Sequence, residues 1–326
     1  MSAELFVGLM SGTSVDAVDA ALVSFSADTA QLVATHDEAF PSELRAELQQ
    51  LIARPDSTSL DQIGSLGSRL TRVYANAVAN LLQSAGTSPS QVQAIGCHGQ
   101  TVRHQPDTDP AFTLQLGNGG ELAALTGITS VTDFRSADIA LGGQGAPLAP
   151  GFHAWAFGGD GPTAIVNIGG ISNITLLTPG EPVSGYDVGP GNTLLDSWCL
   201  EHTGQSYDLD GAWARTGRID AQLLERLIAD PYFSRTAPKS TGREHFHRDW
   251  LQARLTTGEA IIPADVQATL TELTAATIAA AIAAGQAGTV WICGGGAANS
   301  LLVERLAALC GSTPIASTAE LGIPPD

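Results

Sequence analysis

Cations are scarce in this chain of 326 residues: 15 Lys and Arg stand against 33 Asp and Glu, a formal net charge of −18. Nucleic-acid binding rests on clustered cations, so so acidic a surface excludes DNA and RNA as partners. The same scarcity constrains any phosphorylated ligand. It must be held by backbone N–H groups, helix ends and a metal ion rather than by a lysine cluster. Cysteine is sparse too. Cys97, Cys199, Cys293 and Cys310 lie scattered without CxxC spacing, which argues against structural zinc and reads as reduced thiols of a cytoplasmic protein. No run reaches the roughly 18 apolar residues of a membrane span. The start, MSAELFVGLM, has neither a basic n-region nor a small-residue cleavage site, so no signal peptide is expected. Several catalytic signatures are missing as well: no GxxxxGK[ST] loop, no GxGxxG with its ribose-binding acid, no GxSxG elbow and no Ser-His-Asp order.

What is present is a globular composition, 44% hydrophobic, in a chain long enough for two cores. The first 25 residues read as strand, Gly/Ser turn, strand: ELFVGLM, SGTS, VDAVDAALVSF. Helical patterns follow in PSELRAELQQLIA and SLDQIGSLGSRLTRVYANAVANLLQSAG, the second with apolar spacings of three and four and a closing Gly86. QVQAIGCHGQTV is a short buried strand running into a polar loop. Near 160 the pattern starts again: PTAIVNIG, GISN, ITLLTP, then VSGYDV as a strand and PGNTLLDSWCLEHTG as a helix. A long Ala/Thr-rich helix, ADVQATLTELTAATIAAAIAAGQ, precedes TVWICGGGAANSLLVERLAALCG, which reads as strand, glycine loop, helix. Two such rounds predict a duplicated α/β architecture with a cleft between the halves, divided into residues 1–135 and 136–326. Residues 231–249, PYFSRTAPKSTGREHFHRD, are polar, basic and aromatic and are expected to be an insertion at that cleft.

Three glycine-rich turns each follow a strand: Ser11-Gly12-Thr13-Ser14, Gly169-Gly170-Ile171-Ser172-Asn173 and Gly294-Gly295-Gly296-Ala297-Ala298-Asn299. Glycine lets N–H groups approach an anion, and hydroxyls add donors. Each turn alone is ordinary hairpin or cap chemistry; three on corresponding strand ends point to phosphate binding. The third opens a helix, whose dipole favours a nucleotide. His98 and Gln100 follow a buried strand and suit a polar substrate contact. Arg135 and Asp138 lead into a glycine-dense loop holding Gln144, a place where ligands usually sit. Asp16 and Asp19 follow the first turn and are candidates to hold Mg²⁺ through water. Asp187 lies in GYDVGPGNTLLDSW, where it is either a turn and cap residue or a base fixed at a strand end. Gly189, Pro190 and Gly191 are expected to let the backbone pass close to a ligand, with the next helix start facing it.

The blocks GLMSGTSVDAVDAALV, GCHGQTVRHQP, TLQLGNGGELAALTGITSVTDFRSADIALGGQGAPLAP, NIGGISNIT and GYDVGPGNTLLDSW together resemble the anhydro-N-acetylmuramic acid kinase family. The resemblance implies the actin- and hexokinase-like (ribonuclease H-like) α/β fold, two related domains closing on ATP, and a cytoplasmic homodimer. It also implies an unusual reaction in peptidoglycan recycling: the 1,6-anhydro ring of the sugar is hydrolysed and O6 phosphorylated in one event, giving N-acetylmuramic acid 6-phosphate. On the same basis Gly12, Thr13, Ser14, Val15, Asp16, Ala17, Val18 and Asp19 match the ATP-binding segment. Asn167, Gly169, Gly170, Ser172 and Asn173 match the second phosphate hairpin; Gly294, Gly295, Gly296 and Asn299 match the nucleoside loop. His98, Gln100, Arg135, Asp138 and Gln144 fall on the sugar side, and Asp187 matches the catalytic base. Rival readings are a kinase for another anhydro sugar such as levoglucosan, and a catalytically impaired nucleotide-binding relative. Two departures stand out. Ala17 replaces the family's usual glycine, which is harmless at negative φ and a clash at positive φ. The chain also ends at LGIPPD, where the family continues into a helix carrying acidic residues near the sugar, so that helix is expected to be missing.

Overall fold

The computed structural model describes residues 3–12, 15, 17–26, 29–255 and 262–325. The chain divides into two compact units after Gly145 rather than at 135. The reason is local: Arg135 and Asp138 both hydrogen-bond to Gly145, which ties the glycine-dense loop to the first unit.

The first unit contains β1 (Glu4–Met10), β2 (Ala17–Phe25), β3 (Ala30–Ala39), α1 (Ser42–Ala53), α2 (Leu60–Ser84), β4 (Val92–Cys97), β5 (Gln100–Gln105), β6 (Phe112–Leu116), α3 (Gly119–Thr126), β7 (Ser130–Val131) and α4 (Ser136–Ala140). Its main sheet has the order β3-β2-β1-β4-β7, antiparallel over the first three strands and parallel over the rest. Alternation places Val7, Leu9, Val18, Ala20 and Leu22 on one buried face. α2 covers that face with a stripe through Leu66, Leu70, Val73, Tyr74, Ala77, Val78 and Leu81. Its start is set by a capping box between Ser59 and Gln62. β5 and β6 form a separate hairpin.

The second unit contains α5 (Pro150–Phe157), β8 (Thr163–Ile168), β9 (Ile171–Leu177), β10 (Ser184–Pro190), α6 (Asn192–Thr203), α7 (Ala221–Ile228), α8 (Pro231–Ser234), α9 (Arg248–Leu255), α10 (Pro263–Ala284), β11 (Thr289–Cys293), α11 (Ser300–Cys310) and β12 (Ile315–Ser317). Its sheet has the order β10-β9-β8-β11-β12 and repeats the first unit's pattern, three antiparallel strands followed by two parallel ones. The twice-built α/β architecture expected of the actin- and hexokinase-like fold is therefore present. β8 is central, and Ala164, Ile165 and Val166 are all buried. α10 has the length and composition to cross a membrane, yet 78% of its most apolar window is buried within the unit. It bridges two cores, giving Ala275, Ile278 and Ile282 to one and Val266, Leu270 and Leu273 to the other. Its threonines can be buried because Thr269, Thr271 and Thr277 donate to carbonyls four residues back.

The first turn is tied to this framework through α2. The Ser11 and Tyr74 hydroxyls lie 2.8 Å apart in the core, and Ser11 also donates to the Gly99 carbonyl. Burial pushes the Tyr74 phenol far above its ordinary value. Tyr74→Phe is expected to lower stability by about 1–2 kcal/mol, the cost of a lost buried hydrogen bond. A denaturant titration checks this; an unchanged midpoint would show that the pair contributes nothing.

Candidate active site

The second unit's sheet places a polar row at one edge of its core. Asn167 on β8 lies opposite Asn173 on β9, and Asn173 lies opposite Asp187 on β10. Directly opposed residues share a face, so the three polar side chains line up across the strands. Ile174, Val166 and Val188 belong to the core beneath. Immediately after Asp187 the β9–β10 register shifts, a bulge that re-aims the strand end. Asp187 is 6% exposed. Its carboxylate accepts the Thr241 N–H at 3.0 Å, its own N–H donates to the Lys239 carbonyl, and its carbonyl accepts the Tyr232 hydroxyl at 2.6 Å. Segment 239–241 thus covers the otherwise unpaired edge of β10 and grips the acid.

The helix start after Asp187 does not present its N–H groups to a ligand. The N–H groups of Gly191, Asn192 and Thr193 donate to the carbonyls of Gly169 and Gly170 at 2.8–3.1 Å. Glycine at 191 is required by this docking: a Cβ there would stand 2.3 Å from the Gly169 carbonyl oxygen. The turn and the start of α6 are thereby welded together. Around that joint, Ser172 Oγ, Asn173 Oδ1 and Thr193 Oγ1 are buried and have no hydrogen-bond partner among the described residues. Buried polar atoms are normally paired, so orphans at a glycine turn fit a polar ligand that completes them.

Beside this joint lies a cavity of about 440 Å³ lined by Asn192, Asp196, Asp208, Asp210, Gly295 and Asn299 among others. That volume lies in the range of small-molecule sites. Gly294 takes φ +81, and a Cβ on it would meet Asn167 Oδ1 at 2.3 Å, so the loop packs tightly against the end of β8. Asn299 caps α11 by accepting the Leu302 N–H, and Asp210 accepts the Ser300 N–H. Burial pushes Asp196 up to about 6, with the charge of Arg243 opposing the rise.

The 231–249 segment, expected as an insertion, is built into a core: its Tyr232 and Phe246, with the adjoining Trp250, join the same core as Leu194 and Leu195 of α6. Its organising group is Asp230. This buried carboxylate accepts from Tyr232 N–H, Trp250 Nε1 at 2.8 Å and Arg254 Nη2 at 2.7 Å, with His245 Nε2 at 3.3 Å. Burial raises its pKa, but hydrogen bonds from Trp250 and Tyr232 and the nearby His245 outweigh that and hold it below its ordinary value. Neither Asp230 nor Arg243 was singled out in the sequence. An Asp-Pro step capping a helix was the only local sign of the former.

In the first unit, His98 and Arg135 come together. Arg135 Nε donates to His98 Nε2 at 2.9 Å, and His98 Nδ1 pairs with the Gly99 carbonyl at 2.7 Å. Burial and the neighbouring guanidinium push His98 down to about 4, which favours the neutral ring that accepts from Arg135 near pH 7. Cys97, His98, Gln115 and Asp133 help line a cavity of about 220 Å³. Asp138 accepts the Gly145 N–H at 2.7 Å and shapes the glycine-dense loop, while Gln144 donates to Asp107. Gln100 is fully buried and donates to the Gly12 carbonyl at 3.2 Å, so it braces the first turn. Within that turn Thr13, Ser14 and Asp16 lie outside the described residues. Ala17 begins β2 and Val18 is buried on it. Ala17 is not among the positive-φ residues, so its methyl is accommodated; among the described residues of the turn, Val15 is left-handed, at φ 56. Asp19 is exposed on β2 opposite Met10.

Comparison with known proteins adds the following. A model of the family described as anhydro-N-acetylmuramic acid kinase matches residues 4–326. A protein named anhydro-N-acetylmuramic acid kinase from Coxiella burnetii is 47% identical over 331 residues, covering 100% of this chain and 88% of its own. One of the same name from Xanthomonas oryzae pv. oryzae is 47% identical over 328 residues, covering 99% and 87%. Among solved structures, component A of the Acidaminococcus fermentans (R)-2-hydroxyglutaryl-CoA dehydratase aligns over 96% of this chain and 91% of its own, at 12% identity and a TM-score of 0.49, a distant likeness.

The Asp230 hub carries a pH signature. Its carboxylate is held below its ordinary value, so its stabilisation is complete above about pH 4 and is lost as pH falls through the lowered pKa. Asp230→Asn is expected to cost about 2–3 kcal/mol at pH 7, the scale of a hydrogen bond to a charged group. Denaturant titrations of both proteins should show that difference shrinking below pH 4; a pH-independent difference would contradict the ionised hub.

Proposed function

The chain belongs to the anhydro-N-acetylmuramic acid kinase family, and from that premise we propose that it uses ATP and water to convert 1,6-anhydro-N-acetylmuramic acid into N-acetylmuramic acid 6-phosphate for peptidoglycan recycling. What supports a phosphotransfer reading most directly is the placement of Asp187. It is a buried carboxylate aligned with Asn167 and Asn173, near a glycine turn around which polar atoms lack partners among the described residues.

Asp187 is the catalytic base in this proposal, and its task follows from the substrate. A sugar kinase base normally takes the proton of the attacking hydroxyl. In a 1,6-anhydro sugar O6 is already bonded to C1, so no hydroxyl exists at C6. Asp187 therefore takes a proton from water. The water oxygen bonds to C1, the C1–O6 bond breaks, O6 bonds to the γ-phosphorus, and ADP departs. The γ-phosphorus takes the part played by the general acid of an inverting glycosidase. Water enters opposite O6, which gives the α-anomer. The Thr241 N–H fixes one carboxylate oxygen, and the bulge after Asp187 sets its direction.

The nucleoside occupies the 440 Å³ cavity, with Gly295 and Asn299 along one wall and Asp196, Asp208 and Asp210 as acceptors for ribose or base N–H and O–H groups; Gly294 and Gly296 belong to the same loop and pack against the end of β8. Asn167, Gly169, Gly170, Ser172 and Asn173 face the phosphates; the segment from Gly12 to Asp19 is assigned to ATP on the family resemblance. Mg²⁺, which offsets phosphate charge when bound, would be held through water by Asp16 or Asp19; no group of three or more acidic, His or Cys side chains among the described residues suits direct ligation. On the sugar side Arg135 pairs with the lactyl carboxylate, held in plane by neutral His98, while Asp138, Gln144 and Gln100 shape the surrounding loops. A cytoplasmic location and a homodimer are part of the same proposal and rest on the family resemblance.

Asp187→Asn preserves the shape and much of the hydrogen bonding. It is expected to keep ADP binding and lose at least about 10²-fold in turnover, the lower end for general base catalysis. A coupled ADP-release assay with the anhydro-muramic sugar, run beside levoglucosan, checks both the base and the substrate. Near-normal turnover by the variant refutes the base.

A further inference from the structure

We infer that Arg243 is the cation of the nucleotide site, lying over the second glycine turn to meet the phosphate chain of a nucleoside di- or triphosphate. The inference rests on the nucleotide reading above and adds a residue to it. Arg243 Nη2 and Nε stand 3.5 and 3.7 Å from the point a Cβ would occupy on Gly170, and Thr193 Oγ1 stands 2.8 Å from the same point. The guanidinium is thus held against the bare backbone of the turn. Around that turn Ser172 Oγ, Asn173 Oδ1 and Thr193 Oγ1 are buried and unpaired among the described residues. A phosphate oxygen placed there would satisfy hydroxyl donors and the guanidinium together.

The ordinary account of an exposed arginine is a solvated side chain or a surface ion pair. Two observations weigh against it. The chain has 33 acidic residues against 15 basic ones, yet Arg243 makes no hydrogen bond or ion pair among the described residues. Its charge nevertheless reaches Asp196, which lines the nucleoside cavity. One guanidinium therefore lies between the cavity and the turn, along the path that a phosphate chain would follow. Arginine suits the task better than lysine, because its planar fork can take two phosphate oxygens at once. The same segment carries Thr241, whose N–H holds Asp187. A single stretch of backbone thus couples the base to the phosphate site.

Calorimetric or NMR titration of wild type, Arg243→Gln and Arg243→Lys with ADP and with adenosine tests this without any sugar present. ADP affinity is expected to fall at least tenfold in Arg243→Gln and by less in Arg243→Lys, with adenosine affinity within twofold of wild type in both. Unchanged ADP affinity in Arg243→Gln overturns the inference, as does an equal loss for adenosine and ADP. Wild type that fails to bind ADP would instead sink the nucleotide reading on which the inference rests.

Discussion

The Asp187 carboxylate is useful only because its strand is held from both sides. On one side β9 fixes its register, and on the other segment 239–241 supplies the Lys239 carbonyl and the Thr241 N–H. An edge strand with a free side would leave the acid mobile and its backbone groups open to water or to another chain. The segment that prevents this is anchored in turn by Asp230, whose buried carboxylate gathers Tyr232, Trp250 and Arg254. The position of Asp187, the order of the loop and the placement of Arg243 all descend from that chain of bonds.

The second dependence is the joint between the Gly169–Gly170 turn and the start of α6. Three N–H groups that could have faced an anion are used to hold the turn instead. Rigidity is gained at the expense of donors, in a protein already short of cations. The hydroxyls of Ser172 and Thr193, unpaired among the described residues, with one arginine above the turn, then become the donors available to a phosphate. Preorganised donors of this sort stabilise developing charge without reorganising during the reaction.

Much of the architecture was legible in the sequence because it is local. Strand, glycine turn and strand recur near residues 10 and 170, and the sheets carry the same order in both units. Alternating and helical patterns placed α2, α6 and α10, and the turn residues marked Asp187. The contacts that give each residue its role were not legible, since they join positions far apart in sequence. Nothing in a lone histidine or arginine announces that His98 would accept from Arg135 and remain neutral. Composition marked 231–249 as basic and aromatic without revealing that Phe246 is wholly buried or that Arg243 overlies Gly170. The helix start after Asp187 looked open to a ligand; long-range docking by the turn closed it. Thr13, Ser14 and Asp16 lie outside the described residues, so their expected phosphate and metal contacts rest on the sequence alone.

Asp187 as a base for water, rather than for a sugar hydroxyl, is the central claim, and it fixes the stereochemistry at C1. Rapid-quench NMR of the sugar phosphate at early times tests it most directly, before mutarotation mixes the anomers. The account predicts the α-anomer first, because water must enter opposite the departing O6. The β-anomer at early times would contradict it.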